Sequence, residues 1–169
     1  MGIAAYKCSG IARVVFKDTP ARLVAAGREA RAAVVHGLGE NRVLLAALAV
    51  GLARRALRVA TRWARERGVL DRQAVAHRLA RAAAMLSAAL ALVEKAAVDF
   101  GEDKAPPLWE TSAAKYVAVE ASVDALRAAR LTLGGYAYAE RGPARSFVIS
   151  SFTSRHWSRR RAHRIYSLR

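Results

Sequence analysis

The chain has 169 residues, 54% of them hydrophobic, one cysteine and a formal net charge of +16. That length fits one domain with a real core, and that composition excludes global disorder. Cys8 stands alone, which excludes an internal disulfide and fits a reducing, cytoplasmic compartment.

Residues 1–26 read as extended. Met1 to Gly10 lacks the long apolar segment of a signal peptide. Ile11-Ala12-Arg13-Val14-Val15-Phe16 is a short β-rich run, broken by Asp18-Thr19-Pro20. Residues 28–38 suggest a short helix, stopped by Gly37-Leu38-Gly39. A long helix is expected from about Glu40 to Arg67, with an acid at its start to suit the helix dipole. Leu44, Leu48, Leu52, Ala56 and Val59 give it an apolar stripe. Arg54, Arg55, Arg58, Arg62 and Arg65 cover much of the remaining surface, and Gly68 ends the helix.

The second helix, about 72–100, has the cleanest period. Asp71 is its expected N-cap. Val75, Leu79, Ala82, Leu86, Leu90 (or Ala89), Val93, Ala97 and Phe100 recur at three and four. A loop with Pro106-Pro107 follows. Thr111 or Ser112 is expected to cap a third helix, about 111–133, that carries Tyr116, Val119, Val123, Leu126 and Leu133. Gly134-Gly135 stops it. The pattern predicts an all-α fold, an antiparallel bundle of the four-helix type with a short extended N-terminal segment. The longest apolar runs, Val43–Ala53 and Ala82–Val93, fall short of the roughly 20 residues that a membrane span needs.

Charge is unevenly spread. Residues 1–140 hold 21 Lys and Arg against 13 Asp and Glu, whereas residues 141–169 hold eight Arg and no acid. Such basicity favours nucleic acid, anionic lipid or phosphorylated ligands without choosing among them. His156 and His163 flank Trp157 and Arg159–Arg161, a patch suited to nucleic acid or lipid; a solvated charge run is the other reading. His36, His77, His156 and His163 are too dispersed for a metal site. Gly-x-Gly-x-x-Gly and P-loop motifs are absent.

The most specific stretch is residues 131–147, where an Ala-rich helix pattern ends in Gly-Gly-Tyr-x-Tyr before a basic segment. Upstream, Glu40-Asn41-Arg42 opens a helix, Glu66-Arg67 ends it, and Gln73-Ala74-Val75 opens the next. Taken in that order, these segments resemble the C-terminal helical domain of acyl-CoA dehydrogenases, over residues 11–147. The resemblance implies three regions: 1–26 as the remnant of the end of a β-domain, 27–145 as the helical bundle, and 146–169 as a basic Arg/Ser-rich tail. It implies FAD as cofactor, an acyl-CoA thioester as substrate and α,β-dehydrogenation as the reaction. It also implies assembly with further copies or with a partner subunit of the same type. By the same resemblance Arg67, Gln73, Gly134 and Gly135 are cofactor-binding positions and Arg42 lies near the substrate. The family's N-terminal helical domain and most of its β-domain have no counterpart, so activity and FAD binding by this chain alone are expected to be weak or absent.

The catalytic base is unassigned. In most of the family it lies in a Glu-Gly-Thr loop after the Gly-Gly-Tyr turn, and this chain has no such segment. A subgroup places it just before the arginine that corresponds to Arg42, where Asn41 stands. Glu40 is one residue off, a rotation of about 100° on a helix; a helix-start acid is its other reading. Leu131 occupies a position that is usually Gln in the family. The residues after about Phe147 are expected to depart from the family, either as an out-of-frame segment or as a basic tail that binds an anionic surface. The alternative function is a basic helical binding or assembly module on nucleic acid or an anionic surface.

Overall fold

The computed structural model of the chain describes residues 12–101 and 106–139. Its order is α1 (Gly27–Glu66), α2 (Gln73–Gly101), α3 (Leu108–Leu133) and a 3-10 turn over Gly134–Tyr138. The described residues contain three α-helices and no strand. The β-rich run is therefore unpaired where it is described: Val14, Val15 and Phe16 are exposed, and Ile11 lies outside the described residues.

Each helix buries a seam of alternating three- and four-residue steps. On α1 the seam is Val43, Ala46, Val50, Ala53, Leu57, Ala60 and Ala64. On α2 it is Leu79, Ala82, Leu86, Ala89, Val93 and Ala96. Strict alternation of this kind keeps one narrow face toward a neighbour, as in knobs-into-holes packing. α3 has two seams, one through Ala114, Ala118, Ala121, Ala125 and Ala128, the other through Val119, Ser122, Leu126, Ala129 and Leu133. The reason is topological: α3 packs against both α1 and α2.

Ring contacts and close approaches fix the directions. A β-carbon on Gly39 would lie 3.1 Å from Phe100 Cζ and 3.7 Å from Thr111 Oγ1. At the other end of α1, Trp63 meets Tyr136, with ring centroids 5.9 Å apart. α1 and α3 thus run parallel, and α2 runs antiparallel to both. Lys95 Nζ bonds Asp99 Oδ2 at 2.9 Å and Glu110 Oε2 at 3.1 Å, tying the end of α2 to the start of α3.

Several expectations are corrected. α1 does not stop at Gly37-Leu38-Gly39; it is one helix of 40 residues. Gly39 is buried against Phe100, so its missing side chain serves a close approach between helices. Glu40 therefore lies well inside α1, and the acid in the first turn is Glu29. The α1 seam is rotated from the predicted stripe: Leu44 and Leu48 are exposed, Leu52 and Val59 are half-buried, and only Ala56 is buried. On α2, Ala96 rather than Ala97 enters the core, and on α3 Tyr116 faces outward. Arg72, not Asp71, holds the N-cap position of α2, its carbonyl accepting from the Val75 and Ala76 N–H groups. α3 begins at Leu108 with Pro107 as N-cap. Thr111 and Ser112 sit inside it, their hydroxyls donating back to the Leu108 carbonyl.

The core is built from small residues. Among the described residues, fifteen of the 24 buried apolar residues are alanine, so the helices approach closely while each position buries little area.

Candidate functional site

The site grows from the end of α1. Gly68, at φ +62°, lets the chain leave the helix in the left-handed region. The Gly68 N–H donates to the Arg65 carbonyl and the Val69 N–H to the Ala64 carbonyl, a Schellman closure. That closure holds Arg67 at the C-cap, one turn beyond Trp63. The Arg67 guanidinium carbon lies 5.4 Å from the ring centroid of Trp63 and 5.4 Å from that of Tyr136. Each such contact is worth about 0.5–1 kcal/mol at an exposed site. An aromatic face attracts the cation without taking its N–H donors in strong hydrogen bonds, so those donors remain available for an anion.

Tyr136 reaches Arg67 because α3 ends sharply. Gly134 has φ +57° and ψ −133°, backbone space nearly reserved for glycine, and the chain then tightens into the 3-10 turn that carries Tyr136. A β-carbon on Gly134 or Gly135 would meet nothing within 4 Å. The backbone of the pair is open to a ligand. Gln73, exposed, begins α2 just past the turn that follows Arg67. Four residues named from sequence, Arg67, Gln73, Gly134 and Gly135, thus lie at one end of the bundle. Arg42 and Glu40 do not join them. They sit near the other end of α1, about 37 Å away by helix rise; Arg42 is half-buried and Glu40 exposed.

The chain matches the acyl-CoA dehydrogenase C-terminal domain over residues 31–167. It belongs to the acyl-CoA dehydrogenase family. No curated protein matches the chain. The family match begins inside α1 and covers the rest of the described bundle. It also runs past Arg145 to residue 167, so the expected departure from the family at about Phe147 is not seen in its extent. His156, Trp157 and Arg159–Arg161 lie outside the described residues.

Trp63 and Tyr136 are the neighbours of Arg67 that sequence reading missed. A signal existed for Trp63, four residues before Arg67 and so on the same helix face. The Tyr136 contact is tertiary and has no local signal. Leu131 is exposed on the last turns of α3, so an apolar side chain stands where the family usually has an amide. Among the described residues no cluster of His, Cys, Asp and Glu could hold a metal ion, and no helix is long and apolar enough to cross a membrane.

Proposed function

We propose that this chain is the helical part of an acyl-CoA dehydrogenase-type flavoprotein, whose Arg67 end grips the pyrophosphate of FAD in an assembly with other subunits. The observation that carries the reading is Arg67, oriented by Trp63 and Tyr136 beside an open glycine pair. A fixed guanidinium suits a diphosphate, and glycines without side chains let a backbone approach it. The fit covers the phosphate end of the cofactor only.

When bound, FAD supplies the hydride acceptor for α,β-dehydrogenation of an acyl-CoA thioester. The chain's own contribution is charge and shape. Arg67 offsets phosphate charge, Gln73 offers an amide at the start of α2, and Arg42 marks the acyl-CoA end of the same helix. Asn41 is not a carboxylate, and Glu40 points from a different helix face. Without a positioned base, proton abstraction loses about 10²–10⁴-fold, so turnover by the chain alone is expected to be negligible.

Equilibrium dialysis of the full chain against FAD tests the reading. Saturable binding weaker than micromolar is expected, because Leu131 replaces a polar contact worth about 1–3 kcal/mol. Arg67→Ala should weaken it further. No saturable binding, or binding indifferent to Arg67→Ala, would overturn it.

A further inference from the structure

A cleft of about 510 Å³ runs along the outer side of α1 and α2, and no residue of α3 lines it. Its floor is apolar, formed by Leu57, Leu86 and Leu90. One rim is a ladder of exposed arginines, Arg54, Arg58 and Arg62, four residues apart and so about 6 Å apart along the axis. The opposite wall, Ala83 and Ser87 on α2, is short enough for another backbone to come close. The ion pairs of Lys95 with Asp99 and Glu110 lie away from this ladder.

We propose that the cleft docks an acidic amphipathic helix supplied by a different chain. The charge and the shape select that occupant together. Helix-in-groove recognition pairs an apolar stripe with a hydrophobic floor, and acids four residues apart on the docked helix match the arginine step. A phosphate backbone would use the arginines and leave the leucine floor unused. The chain's own residues 141–169 carry eight arginines and no acid, so like charge opposes their docking here. A second copy is disfavoured by geometry. Its exposed acids spaced four residues apart, Glu120 and Asp124, lie on α3, across the bundle from the cleft, so the two-fold dimer that is the commonest closed assembly could not form through this contact.

The test is fluorescence anisotropy with the full chain and a labelled synthetic helical peptide bearing Glu at every fourth position beside a leucine stripe. Saturable, salt-sensitive binding is expected. The matched Gln peptide should bind about tenfold more weakly, as should the Glu peptide to the triple variant Arg54→Glu, Arg58→Glu, Arg62→Glu. Ala83→Phe, which fills the cleft without changing charge, should also weaken it, and Arg127→Glu on α3 should not. Equal binding of the Glu and Gln peptides, indifference to both cleft variants, or tighter binding of a 141–169 peptide, of duplex DNA or of anionic vesicles at the same residues would overturn the proposal.

Discussion

Arg67 stood out as a candidate site residue because its place in the chain, between Glu66 and the short link to Gln73, matches a family segment. What holds it was not legible, because half of the holding comes from Tyr136, about 70 residues away in sequence and adjacent only after α3 packs against α1. Glycines divide in the same manner. Gly134 was read as a helix stop, and its φ of +57° makes it one; Gly134→Ala should cost about 1–3 kcal/mol, measurable as a lowered midpoint in urea. Gly39 was also read as a stop, and its conformation is ordinary helix. Its role lies in the 3.1 Å gap to Phe100, so Gly39→Leu should overpack that contact and cost about 1–3 kcal/mol. A variant as stable as the parent would show that α1 at Gly39 and the end of α2 are not in close contact.

At the scale of elements, the number and order of the long helices followed from the three-four periodicity, and their ends fell within a few residues except at the start of α1, which lies at Gly27 rather than about Glu40. The rotation of α1 did not follow. Weighting leucine above alanine selects Leu44 and Leu48, yet a closely packed seam favours alanine, and the buried positions are Val43, Ala46 and Val50. Glycines at 37 and 39 were read as breaks, but each costs only about 1 kcal/mol in a helix, and packing along a 40-residue element outweighs that. The α2–α3 connection carries a pH signature. Hydrogen bonds to Asp99 and Glu110 raise the Lys95 pKa above its ordinary value. A raised folded pKa means stability that is fully present below the ordinary lysine range and is lost as pH rises through the raised value. The parent and Lys95→Met should therefore differ in thermal midpoint at neutral pH and low salt, and converge as pH rises through the raised lysine value. Because Lys95 is exposed the difference should be small and should shrink in salt. A difference that persists at high pH would assign the effect to packing.

For the whole molecule, small residues fill the interior while Leu44, Leu48, Met85, Leu92, Trp109 and Tyr116 face outward. A core of that kind gains little from each buried position, and the exposed apolar side chains favour association. Light scattering at tens of micromolar should show an assembly; a monodisperse monomer would contradict this. The family assignment and the helical fold were both readable in the sequence. The cleft between α1 and α2 was not, because it depends on how two helices splay. The central claim is that the chain holds the phosphate end of a flavin site at one end of its bundle. Hydrogen–deuterium exchange of the full chain with and without saturating FAD tests it most directly. Protection is predicted over residues 63–75 and 130–138, absent over 40–50 and lost in Arg67→Ala. Protection confined to the arginine-lined cleft, or none at saturating FAD, would contradict the account.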